Sequence, residues 1–446
     1  MKRTIACLVT LVMLVTMLAA CGGTSTPQTQ PNQGASTPEP SKSSEPVKLT
    51  FWANDGSPQW MEVWNSAVER YKAVNPNVTI ETFGIPWDTA VTKFTTAAAT
   101  GTLPDMAHLA ATLTQVMMAS DTLVDLSPLF EKYEGKNDIN QGHLNFYYGM
   151  NPKVKGLWAA PMFGSTNQIW YRKDWFEKEG IEFPRTWDEF FEVSKSMTKD
   201  GHYGYSFRGG SGNWNLTLHF LMSYTNTSDW FADYEETGHT FFAKPETLEG
   251  LTKWISIAAD GYAPPTCVSN GYTEMIAEFS SGNAAMAWHH LQSAPLILEK
   301  LTPDQLGYGP MPRNSEGVRF VSDEPQGIAV FNTISDENLE AAFDFIKFLW
   351  TPEEQLSIVT IAGGVPSNLK TDVEGNEYLK AALNALSEEN VKASVLPFFL
   401  KDLQRFNEQI VTPDIQAMIL KELKPEDALK RWDEEAIKMY EEYLSE

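Results

Sequence analysis

Val47-Lys48-Leu49-Thr50-Phe51-Trp52 and Val78-Thr79-Ile80-Glu81-Thr82-Phe83 decide the fold. Both alternate apolar and polar residues with period two, as half-buried strands do. Between them Asn54-Asp55-Gly56 reads as a turn, Ser57 can cap a helix and Pro58 suits its first turn. Trp60, Trp64, Ala67, Val68 and Tyr71 then recur at helical spacing, and both tryptophans read as core. Strand, helix and strand make a β-α-β unit, which favours a right-handed crossover and parallel strands. The fold class is α/β.

The alternation continues outward from this unit. Thr186-Trp187-Asp188-Glu189 reads as a capping box before Phe190, Phe191 and Met197. Ser335 caps a stripe of Leu339, Ala342, Phe343, Ile346 and Leu349, and Thr351-Pro352-Glu353-Glu354 opens the next helix the same way. A last helix carries Leu429, Trp432, Ala436 and Tyr440 on one face. No internal repeat is present. From Val47 to Glu446 there is length for two lobes, and 42% hydrophobic residues supply their cores.

Upstream of Val47 the chain changes character. Lys2 and Arg3 precede an almost wholly apolar run from Ile5 to Leu18, the layout of a secretory signal and too short to span a bilayer. The ending Leu18-Ala19-Ala20-Cys21, followed by Gly22-Gly23, resembles a bacterial lipobox. That resemblance implies removal of residues 1–20, lipidation of Cys21 and a body anchored at the extracellular face of the cell membrane. The alternative is an ordinary signal peptide in which Cys21 is incidental. Residues 21–46 are rich in Ser, Thr, Pro, Gln and Gly, cannot offset their ordering entropy by burial, and read as a flexible linker.

Charge and cysteine content narrow the function. There are 34 basic and 58 acidic residues, and loss of Lys2 and Arg3 leaves the exported chain near −26. Nucleic acid, which demands clustered Lys and Arg, is not an expected partner. With Cys7 leaving in the signal and Cys21 taken as the anchor, Cys267 alone remains in the body, which then holds no intrachain disulfide. There is no Gly-x-Ser-x-Gly elbow, no phosphate loop, no dinucleotide fingerprint, no His-Glu-x-x-His and no Cys-x-x-Cys. His289-His290 is the one histidine pair, and as strand neighbours the two should face opposite sides, a poor chelate. No catalytic residue, metal or cofactor is expected.

Aromatic residues stand out instead, with 14 Trp and 24 Phe. Ring faces stack on the apolar faces of sugars while amides and carboxylates bind hydroxyls. Trp87 follows Ile85-Pro86 at a strand end, and Trp214 lies in Arg208-Gly209-Gly210-Ser211-Gly212-Asn213-Trp214, a glycine-rich loop. Each either touches ligand or simply packs.

The order of segments carries a family resemblance. Leu49-Thr50-Phe51-Trp52, Gly101-Thr102-Leu103-Pro104-Asp105, Gly156-Leu157-Trp158-Ala159-Ala160-Pro161 and Trp170-Tyr171-Arg172-Lys173-Asp174-Trp175-Phe176 come in turn. Gly282-Asn283-Ala284-Ala285-Met286-Ala287-Trp288 and Gly363-Gly364-Val365-Pro366-Ser367 follow. Together, over residues 47–446, they resemble the family 1 extracellular solute-binding proteins of ABC importers. The resemblance implies a periplasmic-binding-protein-like fold of two lobes, 47–162 with 326–394 and 163–325 with 395–446, closing as a hinge. Chain crossings then fall near Pro161 to Ser165, Asp323 to Gln326 and Ser394 to Pro397. It implies a monomer that hands a carbohydrate to permease subunits. Its ligand positions map here onto Asn54, Asp55, Trp87, Thr112, Phe163, Ser165, Asn167, Arg208, Asn213, Trp214, His289, Gln292 and Glu324. Ser165, Thr112 and Gln292 replace the acids and aromatic of maltose-binding members, which argues against maltose. Arg208 is either a solvated loop charge or a clamp on an acidic sugar. An exported glycan hydrolase, or a same-fold receptor for a non-sugar solute, are the other readings.

Overall fold

The computed structural model of the protein describes residues 46–446. Cys21, the signal and most of the linker lie outside the described residues. Eleven strands organise the rest: β1 Val47–Asn54, β2 Val78–Ile85, β3 Met106–Leu109, β4 Ala160–Arg172, β5 Tyr203–Tyr205, β6 Ala284–His290, β7 Leu306–Gly309, β8 Arg319–Val321, β9 Asp323–Val330, β10 Val365–Pro366 and β11 Val391–Ala393. The two stretches read first are β1 and β2, parallel from Val47↔Val78 to Asn54↔Ile85 and joined by the helix Pro58–Val74. That helix buries Val63, Trp64, Ala67, Val68 and Tyr71, the stripe its spacing predicts. Ser57 stands at its N-cap position, but its hydroxyl makes no cap bond. The carboxylate of Asp55 instead accepts the Ser57 N–H at 2.8 Å. The capping box at Thr186 and Glu189 and the Ser335 cap form as read.

The main sheet runs in the order β2-β1-β3-β9-β4-β6-β5, with β7 and β10 also paired to β4. Its key element is β4. Residues Ala160 to Thr166 pair antiparallel with β9, and Asn167 to Tyr171 pair with β6. One strand, buried at all but one position, therefore belongs to two halves of the sheet. β9 does the same, joining β3 through Gly327 to Val330 and β4 through Asp323 to Ile328. A third strand pair, β8 with β11, continues at Ser394, whose N–H donates to the Val321 carbonyl at 2.8 Å.

Each half has its own aromatic core. Phe51 packs on Trp64 with ring centroids 5.3 Å apart and meets Phe345 edge-on. In the other half Trp254 stacks on Phe220 at 4.8 Å, and both Trp187 and Trp254 meet Trp288 at 5.6 Å. Such ring pairs add to the burial term that holds a domain with no disulfide. Tyr378, on the helix Glu377–Leu386 that the resemblance gives to the first lobe, packs on Trp170 and Tyr308 of β4 and β7.

Candidate functional site

Where β4 and β9 run side by side, polar side chains are buried among aromatic rings. Ser165 stands opposite Glu324 in register. Its hydroxyl oxygen accepts the Gln292 amide at 2.8 Å and the Gln326 amide at 3.1 Å. Glu324 Oε1 lies 3.2 Å from His219 Nε2, close but without a hydrogen bond between them. The other ring nitrogen of His219 lies 2.6 Å from the Ser394 hydroxyl. Asn167, two residues along β4 from Ser165 and paired with His290, is 2% exposed with neither amide atom hydrogen-bonded. Asn54, the last residue of β1, is also buried, and its Oδ1 has no partner. Unpaired buried amides carry a full desolvation cost, so this cluster is costly unless a ligand satisfies it.

Aromatic rings back these groups. Trp60 is half-buried and stacks on His108 at 5.2 Å and on Phe163 at 5.5 Å. Sequence spacing makes Trp60 core like Trp64, yet only Trp64 is sealed, because Trp60 sits at the helix start nearest the strand ends. Phe163 is wholly buried beneath it, a support for the stack rather than an exposed contact. Burial drives the His108 imidazole down to about 3, against a smaller opposing pull from the Gln326 amide, so it is neutral near pH 7.

His289 and His290 depart from the expectation of opposite faces. Their rings stack at 4.5 Å, and His289 stacks on Tyr272 at 4.3 Å. The strand ends at His290, and the chain turns into the short helix Leu291–Ser293, which releases alternation at its last residue. Burial first, then the nearby positive charge of Arg208, holds His290 down at about 3. Burial likewise keeps His289 far below the ordinary imidazole range. Among the described residues no group of three His, Cys, Asp or Glu is arranged to hold a metal ion.

The remaining positions separate by environment. The Asp55 backbone has φ of +150°, strained for a residue with a side chain, at the mouth of β1. Burial raises the Tyr272 phenol, and both Asp55 and Arg208 lie within electrostatic reach of it. Arg208 donates Nε to the Ser211 carbonyl at 2.7 Å and lies over Gly212. A Cβ there would come within 2.1 Å of the guanidinium, and φ of +74° also favours glycine. Trp87 is 50% exposed in a single turn after β2, and Thr112 is half-buried in the first turn of the helix Ala111–Ala119.

Two of the expected positions are buried here. Asn213 is fully buried, donating to the Gly209 and Thr412 carbonyls while accepting the Thr412 hydroxyl, so its amide holds the loop together. Trp214 is not in the loop. It opens the helix Asn213–Tyr224, is 6% exposed, and donates its indole N–H to Glu408 at 2.8 Å. Glu408 lies in a π-helical stretch, Asn407–Val411, a rare geometry that recurs at functional sites. Asn407 there is buried with both amide atoms unpartnered. Sequence reasoning missed His108, His219, Tyr272 and Asn407. His108 alone left a trace, a polar residue inside the buried run Met106-Ala107-His108-Leu109.

Two α/β lobes sharing strands, with buried unpaired polar groups and aromatic rings where the strands cross, define a two-lobe binding protein. The chain belongs to the bacterial extracellular solute-binding protein family, whose profile matches residues 55–356. It is 21% identical over 296 residues to the multiple sugar-binding protein of Streptococcus mutans, covering 64% of this chain and 67% of that one. Maltose-bound MalE3 of T. maritima is similar in structure, with TM-score 0.75 and 22% identity over 88% of this chain and all of that one. A chitin oligosaccharide binding protein is similar too, with TM-score 0.75 and 21% identity over 90% of this chain and 99% of the other.

Proposed function

We propose that this protein is the carbohydrate-capturing receptor of an ABC importer, a lipoprotein tethered through Cys21. The carrying observation is the set of buried polar groups around the crossing strands, Asn167 with neither amide atom paired and Asn54 with its Oδ1 unpaired, together with the Trp60 stack on His108 and Phe163. Amides, neutral imidazoles and hydroxyls supply donors and acceptors for a polyhydroxylated ligand, and ring faces supply its apolar contact. The sugars named for its relatives support the same class of ligand. In this reading the lobes 47–162 with 326–394 and 163–325 with 395–446 close over the sugar, which passes unaltered to the permeases.

The test is calorimetry of residues 47–446 against a glycan panel, with chromatography of the recovered ligand. Binding with intact glycan supports the receptor. Cleavage at a rate tracking protein concentration favours the hydrolase. Changing Cys21 to Ala should free the protein from the membrane or block its processing, and membrane retention after normal cleavage would remove the anchor from this account.

A further inference from the structure

Outside the crossing strands, the first lobe carries a second surface built for a chain-like ligand. Trp52 and Phe83 are register partners on β1 and β2, so both side chains stand on one face of the sheet. Phe83 is 48% exposed although β2 is an edge strand, where exposed aromatic residues are normally avoided. Trp52 floors a groove of about 590 Å³ bounded by the helix Ala90–Thr100. That volume is within the usual range of small-molecule sites, roughly 300–1,000 Å³.

The lining has a definite chemistry. Lys93 holds its ammonium 5.4 Å above the Trp52 ring. Thr89, Thr92, Thr96 and Thr102 edge the groove. Thr89 and Thr96 each donate their hydroxyl proton to a backbone carbonyl, leaving the oxygen lone pairs to accept. An aromatic face, hydroxyl acceptors and one ammonium donor fit sugar rings better than an apolar helix, and among the described residues no carboxylate lines the groove.

The strand that floors the groove ends at Asn54 of the candidate site. Trp52 lies two residues before Asn54 on the same face of β1, about 6.6 Å along the strand. The geometry points to an outer subsite. An oligosaccharide whose one end is held beside Asn54 extends its other end over Trp52 and Phe83. The inference rests on the carbohydrate reading above.

The experiment compares two-unit and six-unit members of the malto-, cello-, xylo- and chito-oligosaccharide series by calorimetry. It uses the parent protein and the exposed-residue variants Phe83→Ser and Lys93→Gln, each checked for an unchanged melting temperature. For the series that binds, the six-unit sugar should lose affinity roughly tenfold in Phe83→Ser, the scale of one stacked ring, while the two-unit sugar is unaffected. Equal loss for both lengths, or none for the longer, overturns the outer subsite. Tight two-unit binding with no gain on lengthening overturns it while sparing the receptor reading. Failure of every series to bind overturns both. Loss of stimulation of the importer with glycan binding intact would give this face to a protein partner and overturn it too.

Discussion

His219 reaches Glu324 with one ring nitrogen and Ser394 with the other, at 3.2 Å and 2.6 Å. One imidazole on the helix Asn213–Tyr224 thereby reaches both β9 and the segment following β11. Replacing His219 by Ala leaves the Ser394 hydroxyl without its imidazole partner and opens a gap beside Glu324. Stability should fall by about 1–3 kcal/mol. Urea unfolding checks this, and an unchanged midpoint would mean the imidazole contributes nothing to the crossing.

Asn167 should behave oppositely. Its amide makes no bond within the fold, so Asn167→Ala should cost little stability or gain some, since an unpaired buried amide is itself unfavourable. Affinity for the bound sugar should drop. Calorimetry and thermal melting on one sample separate the two, and an early melt with normal affinity would place Asn167 outside the site.

Trp60 and Trp64 occupy successive turns of one helix and should respond differently. Trp64 is sealed in the core, and its change to Ala should cost roughly 3–5 kcal/mol. Trp60, half-buried over His108 and Phe163, should lose affinity first. Equal stability losses would return Trp60 to the core.

Trp87, half exposed, should change stability by no more than about 0.5 kcal/mol when replaced by Ala. Its effect on binding should be seen with folding intact. Normal sugar affinity in that variant would remove the loop after β2 from the ligand's path.

Acid should loosen the fold through its histidines. His108 and His290 sit at about 3 when folded, against an ordinary 6.5. The unfolded chain therefore binds more protons between those values. The stability they contribute is complete above pH 6.5 and declines as pH falls toward 3, by about 1.4 kcal/mol per unit for each. A melting series from pH 8 to pH 4 should slope downward below 6.5, and less steeply in His108→Phe. Parallel slopes in the two proteins would show that His108 takes no part.

Much of this was legible in the chain. The alternation in β1 and β2 and the stripe between them needed only local spacing, and the parallel pairing followed. Asn54, Ser165, Gln292 and Glu324 were placed by segment order, and the structure brings the last three to one crossing of strands. The misses have a physical cause. Trp214 read as a loop residue because three glycines precede it, but Gly212, in its left-handed conformation, ends the loop and starts the helix. Trp60 and Trp64 share a stripe, and only distant strands decide which one is sealed. His219 lies in an apolar helical run whose partners are over a hundred residues away.

The shared strand β4 also sets the order in which this chain becomes a protein. β3 and β4 are made early, yet the strand that joins them is β9: His108 waits for Ile328 and Ala160 for the same residue. At roughly 5–20 residues per second, synthesis leaves those edges bare for many seconds, and such distant pairing is intrinsically slow. A nascent chain would reach Arg172 with two open hydrogen-bonding edges and nothing of its own to cover them. Holding the chain unfolded until residue 330 has emerged would spare it that exposure.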